Sequence, residues 1–265
     1  MSLRYDLYQP GHSALHRLDP RVKFLFAVCG VVALLSFRNL WIMLAALALT
    51  HALLLGSGVR WQRLGWVWKP TLPVMIMIAV LWVVFYPGEG PALLEWRFLR
   101  VTVGNIAEGL AMALRMGALA FVLFVWLFTT DQTALVRGLV GLGLPYEWGL
   151  TLGMALRYLP TMASAFVMIS DAQQARGLDL AKRNPLQRAR AYIPITVAML
   201  ITALRTAEGI SYTLESRALG ASRQRTTLHP LRYTTRDVWW TLVILAGTAM
   251  LLWARFAWGW GAGPL

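Results

Sequence analysis

Charge is scarce in this chain. Of its 265 residues only 14% are Asp, Glu, Lys or Arg, 58% are hydrophobic, and the mean hydropathy is +0.56. An ordinary soluble domain carries about 25% charged residues, so lipid is the expected solvent. Lipid cannot satisfy free backbone N–H and C=O groups, which makes helices the expected spanning element. The alternating apolar and polar pattern of a membrane barrel is absent. Cysteine is almost missing as well. The single Cys29 lies in an apolar run, which excludes a disulfide framework and any Cys/His zinc spacing. Lysine occurs only as Lys23, Lys69 and Lys182, and none of these follows a glycine. A G-x-x-x-x-G-K-[ST] phosphate loop is therefore excluded, and with it a P-loop ATPase in this chain. The first 23 residues are too polar to read as a cleaved signal peptide.

What the chain does have is positive charge, +13 with pI near 10.8. In a soluble protein that balance would point to nucleic acid. In a membrane protein it is the bias that holds loops in the cytoplasm, and no nucleic-acid partner is expected. Arginine supplies nearly all of it, which suits fixed bidentate ion pairs and equally a GC-rich genome.

Apolar windows predict spanning helices at about 22–37, 40–55, 66–85, 110–128 and 238–256. The first two are near the short limit and are joined by a tight turn at Arg38-Asn39. Two more stretches, Trp148–Ser170 and Ala191–Tyr212, are long enough to span. If the first of them crossed, Arg176, Lys182, Arg183, Arg188 and Arg190 would lie outside, against the positive-inside rule. Their interiors also hold Arg157, Pro160, Pro194, Arg205 and Glu208, which are costly against lipid tails. Both are read as long helices at or under the membrane surface. The expected fold is all-α: a polytopic membrane protein of about five transmembrane helices plus a cytoplasmic coupling domain of long amphipathic helices. Residues 1–147 form the transmembrane domain, 148–236 the coupling domain, and 237–265 the last spanning helix and C-terminus. The N-terminus and coupling domain are placed in the cytoplasm and the C-terminus outside. Of the thirteen tryptophans, Trp61, Trp66, Trp68, Trp96, Trp148, Trp239, Trp240, Trp258 and Trp260 fall near predicted helix ends as an interfacial belt.

Candidate chemistry is thin. A self-sufficient secondary carrier would bury ionisable groups at mid-membrane, and the spans hold little beyond Glu108 and Arg115. Those two are seven residues apart on nearly one helix face, which allows a remote pairing, although a structural polar contact suits each of them better. A membrane-embedded lipid-handling enzyme would need clustered acids or histidines near the interface. His12 and His16, spaced i, i+4 with Asp19 nearby, lack a third metal ligand. Asp131, Glu147 and Asp171 read as helix caps or first-turn charges. No catalytic, cofactor-binding or metal residue is assigned.

Two small–Arg–small triplets stand out: Ala175-Arg176-Gly177 and Ser216-Arg217-Ala218. Each follows a long helix, and small neighbours would let a partner's backbone approach an arginine that can fork onto a carboxylate or carbonyl. Further pieces are Tyr8-Gln9-Pro10-Gly11-His12-Ser13, His16-Arg17-Leu18-Asp19-Pro20-Arg21-Val22-Lys23, Gly143-Leu144-Pro145, Leu156-Arg157-Tyr158-Leu159-Pro160 and Arg225-Thr226. In this order and spacing, over nearly the whole chain, they resemble the transmembrane T components (EcfT) of energy-coupling factor transporters, with the CbiQ-type proteins of cobalt and nickel uptake among their relatives. The resemblance implies a non-catalytic subunit whose two Ala-Arg-Gly motifs dock into grooves of two ABC-type ATPases, with ATP and Mg on those partners. It also implies a small membrane S component that binds the vitamin or metal ion, and Arg157 and Pro160 as support for the coupling domain. Membrane lipids complete the set of partners. The first triplet matches the motif residue for residue. The second keeps Arg217 but has Ser216 for Ala and Ala218 for Gly, so the more flexible glycine turn is lost and the local backbone geometry is left open.

Overall fold

The computed structural model describes residues 8, 9, 11, 13, 15–86, 92–96, 99–180, 184–221, 233–259, 261 and 263. Among the expectations above, those on Pro10, His12, Lys182, Arg183, Arg225, Thr226 and Trp260 lie outside the described residues.

The described residues form nine helices and one short hairpin: α1 (Pro20–Ser36), α2 (Leu40–Gly56), α3 (Trp61–Phe85), β1 (Ala92–Trp96), β2 (Leu99–Thr102), α4 (Val103–Thr129), α5 (Gln132–Gly141), α6 (Tyr146–Ala175), α7 (Pro185–Ala191), α8 (Ile193–Ser216) and α9 (Thr235–Trp258). They divide into two compact units. One contains Tyr146–Pro230; the other contains Asp6–Pro145 and Leu231–Leu265.

In the second unit the helix starts are written in short polar signals. Asp19 caps α1 through its carboxylate and Pro20 occupies the first turn, where no N–H is needed. Asn39 turns the chain into α2 by accepting from the Trp41 and Ile42 amides at 3.0 and 3.3 Å. Two helices start earlier than the apolar windows suggest, α3 at Trp61 and α4 at Val103. Their first turns carry Gln62 and Arg63, or Asn105 and Glu108, and so fall below a hydropathy threshold. Thr102 caps α4 by accepting from the Asn105 amide. The β1–β2 hairpin is antiparallel, with Glu95 opposite Arg100 and Trp96 opposite Leu99.

The core of this unit sits around α4. Phe121, Val125 and Phe128 pack with Leu54, Val59, Leu64 and Val67, while Ala118 and Val122 pack with Ala27, Leu34, Phe37 and Met43. Glycine lets α3 and α4 meet: a Cβ on Gly109 would stand 2.9 Å from the Ala79 carbonyl oxygen.

One end of this unit is tied by the N-terminal segment. Lys23 is buried, and its ammonium donates to the Thr129 carbonyl at the end of α4 (2.7 Å) and to the His16 carbonyl (3.2 Å). The Gln9 amide donates to the Phe128 carbonyl at 3.1 Å. These contacts satisfy orphan carbonyls at a helix C-terminus and place a cation against its negative dipole end. The Asp237 carboxylate receives the Asp19 amide at 3.0 Å through one oxygen and the Thr234 amide at 3.0 Å through the other. The starts of α1 and α9 therefore share one carboxylate.

In the first unit α6 packs against α8, and α7 against α8. Burial there is sparse: Gly149 and Ser170 on α6, Ala191 on α7 and Ile195 on α8. Large apolar side chains remain exposed along both long helices, among them Leu159, Val167 and Met168 on α6 and Val197, Leu200 and Leu204 on α8.

By length and composition five stretches among the described residues could cross a membrane: α3, α4, α6, Pro185–Ser216 and α9. The number matches the expected five, but the membership differs. The 17-residue α1 and α2 fall short of that length, whereas α6 and α7–α8 qualify. Length cannot decide the matter for α6 and α8, where the argument against crossing rests on charge.

Candidate functional site

Both arginine triplets stand at helix C-termini, and their backbones are built alike. Ala175 is the last residue of α6, and Arg176 follows as the cap. Gly177 then takes a left-handed conformation, φ 90°. The Gly177 amide donates to the Gln174 carbonyl at 2.9 Å, and the Leu178 amide to the Gln173 carbonyl at 3.0 Å. This pair of bonds, five-to-two and six-to-one, is the Schellman motif. At the second terminus Ser216 ends α8, Arg217 is the cap and Ala218 takes φ 56°. The Ala218 amide donates to the Glu215 carbonyl at 2.9 Å, and the Leu219 amide to the Leu214 carbonyl at 3.0 Å. Losing glycine has not changed the turn. Ala218 is the one non-glycine residue with positive φ among the described residues, in a region that an L-residue enters at a cost of roughly 1–2 kcal/mol.

The sequence reading passed over Leu178 and Leu219. Each is the second residue after its arginine and closes the Schellman motif, where an apolar side chain commonly packs back on the helix. Both are half-buried while the triplets themselves are exposed. The repeated Arg–small–Leu order was legible and would have paired the two termini directly.

Arg176 and Arg217 are exposed, and among the described residues neither guanidinium has a hydrogen bond or ion pair. Each is a cation at the negative end of a long helix, with five N–H donors to offer. Small residues on both sides leave the turn open: nothing lies within 4 Å of a Cβ built on Gly177. Arg157 and Pro160 lie together near the middle of α6, both exposed. Pro160 has no N–H, so the helix lacks one bond there, and the Ser164 hydroxyl donates to the Pro160 carbonyl at 3.1 Å.

Other expectations fare differently. Glu108 and Arg115 are not partners. Arg115 reaches across to α1, its Nε donating to the Leu34 carbonyl at 3.0 Å and its Nη2 to the Leu35 carbonyl. Glu108 is buried with its Oε2 unbonded. Seven residues place two side chains on one face but about 10 Å apart along the axis, and Arg115 bonds the last carbonyls of α1 instead. Asp171 lies inside the C-terminal part of α6 and is no cap, whereas Glu147 is in the first turn as expected. Asp131 occupies the N-cap position of α5 as expected, but its side chain makes no cap bond; the Thr133 hydroxyl donates to it instead. Both ring nitrogens of His16 are engaged, Nδ1 by the Ser13 hydroxyl at 2.8 Å and Nε2 by the Gln9 carbonyl at 2.9 Å. No cluster of three metal-ligating side chains occurs among the described residues.

An all-α chain whose described residues hold five stretches long and apolar enough to cross a bilayer is built as a polytopic membrane protein. Residues 11–228 match the family model described as cobalt transport protein, CbiQ. Full-length relatives agree. The chain is 32% identical to the energy-coupling factor transporter transmembrane protein EcfT of Acidaminococcus fermentans, covering 95% of this chain and 96% of that protein. It is 30% identical to the proteins of the same name from Clostridium kluyveri and Thermosediminibacter oceani, again over 95% of this chain and 96% and 97% of theirs. The chain belongs to the CbiQ/EcfT family, the transmembrane components of energy-coupling factor transporters.

Proposed function

We propose that this subunit passes the motion of two ABC-type ATPases to a small substrate-binding S component, importing a vitamin or a metal ion. The observation that carries this reading is the likeness of the two helix termini. Two exposed arginines, each followed by a residue in the left-handed conformation, are presented without a partner among the described residues. Docking would proceed through Ala175, Arg176 and Gly177 at the end of α6 and through Ser216, Arg217 and Ala218 at the end of α8. Each guanidinium would fork onto a carboxylate or carbonyl in a groove of one ATPase. ATP and Mg belong to those partners, and the chain itself binds no cofactor.

In this reading residues 148–236 are the cytoplasmic coupling domain, the protein sits in a prokaryotic inner membrane, and the C-terminus lies outside. Between Asp171 and Arg236 there are eleven Lys/Arg against four Asp/Glu, which favours the cytoplasmic side for that segment. The uncovered apolar faces of α6 and α8 would seat the S component. Arg157 and Pro160 would support the domain, the proline by setting the course of α6 at a fixed point. Purification of the tagged chain from native membranes tests the class. Two ABC ATPases and one small hydrophobic protein should accompany it, and recovery of the chain alone under mild detergent would count against the proposal.

A further inference from the structure

The far end of the helix bundle, opposite Lys23, holds a second cluster of arginines that docking does not use. Arg115 on α4 donates to the Leu34 and Leu35 carbonyls, and Arg255 on α9 donates through Nε to the Ser36 carbonyl at 2.9 Å. Two residues further on, Arg38 sits in the α1–α2 turn with its backbone amide bonded to the Gly261 carbonyl at 3.1 Å. Three cations thus converge on the C-terminus of α1. Its unpaired carbonyls and the half charge of its dipole account for part of that charge and no more.

Of the five N–H donors on each guanidinium, Arg115 uses three, counting a contact to Met112 Sδ at 3.4 Å, Arg255 uses one, and the Arg38 side chain uses none among the described residues. No carboxylate among the described residues bonds any of the three. Asp19, Asp131 and Asp237 belong to the opposite end, and Glu108 keeps its Oε2 unbonded.

Depth supplies a second, independent observation. The helices α1 and α2 have 17 residues each, about 25 Å of rise, which is less than the roughly 30 Å of a hydrocarbon core. Beside them α4 continues from Arg115 back to Val103, and α3 runs the length of 25 residues. The α1–α2 turn therefore ends in a notch below the tips of α3 and α4. A short apolar element is accommodated by local thinning, which brings headgroups down to it, and arginines at such a place draw headgroups and water inwards. Exposed Trp41, Trp253 and Trp258 stand near the same ends of α2 and α9, as interfacial tryptophans do.

We propose that Arg38, Arg115 and Arg255 form a phosphate site that holds the headgroup of an anionic phospholipid in the notch at the α1–α2 turn. The bound phosphate would offset the surplus charge and seal the short hairpin against the leaflet. This site lies in a different part of the chain from the docking arginines and stands without that reading.

The test uses the full-length chain, delipidated in a non-ionic detergent and followed by native mass spectrometry. It is titrated with phosphatidylglycerol, with phosphatidylcholine, and with phosphatidylglycerol in the presence of inorganic phosphate. Phosphatidylglycerol should be retained in preference to phosphatidylcholine, and Arg38→Gln with Arg255→Gln should weaken it about tenfold, the scale of lost charge-assisted bonds. Arg38→Gln alone, which breaks no side-chain bond among the described residues, should weaken it measurably. Arg137→Gln, on α5, should leave it unchanged. Competition by inorganic phosphate that disappears in the variants would assign the site to free phosphate as well as lipid; no competition assigns it to the lipid. Equal retention of both lipids, or phosphatidylglycerol binding indifferent to Arg38→Gln and Arg255→Gln, would overturn the proposal.

Discussion

Ala218 holds at the end of α8 the left-handed position that Gly177 holds at the end of α6, with φ 56° against 90° and the same two capping bonds. The two arginines are thereby presented on matching turns although only one triplet contains glycine. An alanine kept at a strained position implies that the turn is imposed by its surroundings, the Leu219-to-Leu214 bond among them.

Substitution at these two positions should have opposite effects. Ala218→Gly relieves the left-handed strain and should stabilise the chain by about 1 kcal/mol, while Gly177→Ala should destabilise it by a similar amount. Thermal unfolding in detergent reads both. Equal shifts of the same sign would mean that the turns are not equivalent.

Asp237 joins the starts of α1 and α9. Asp237→Ala removes a capping box and the acceptor for the buried Asp19 amide, and should cost about 2–3 kcal/mol. Asp237→Asn keeps one acceptor and should cost less. A smaller loss in the alanine variant than in the asparagine variant would show that the carboxylate is not what ties these helices.

Glu108 and Arg115 can be separated in the same way. Arg115→Gln strips bonds from the α1 carbonyls and should cost about 1.5–3 kcal/mol. Glu108→Gln, which breaks no bond among the described residues, should stay within about 0.5 kcal/mol of the parent. Matching losses in the two variants would restore the pairing that helical spacing alone suggests.

The contact between α3 and α4 depends on Gly109. Gly109→Ala puts a methyl group 2.9 Å from the Ala79 carbonyl oxygen, a backbone atom that cannot swing aside, and should cost about 1–3 kcal/mol. Wild-type stability in that variant would mean that the two helices are not packed as closely as the fold requires.

Much of this was legible beforehand, for reasons that particular residues make plain. Asn39, Pro20 and Asp19 mark helix starts by local chemistry, and the long apolar windows of α3, α4 and α9 need no partner to be recognised. The arginine triplets were legible as pattern but not as structure, because an alanine gives no signal that it will take positive φ. The other unread features were long-range. Lys23 meets Thr129, Asp237 meets Asp19, and Arg115 and Arg255 meet the end of α1 across helices that the sequence keeps far apart. Spacing rules see only neighbours within one helix, so they paired Arg115 with Glu108.

The central claim is that Arg176 and Arg217 dock the chain to its ATPases. It is tested most directly by retention of those ATPases on tagged chain carrying Arg176→Ala, Arg217→Ala or both. Each single variant should lose at least one ATPase or uncouple its ATP hydrolysis from uptake, and the double variant should lose both subunits while remaining folded in the membrane. Full retention of both ATPases with normal uptake in the double variant would contradict the account.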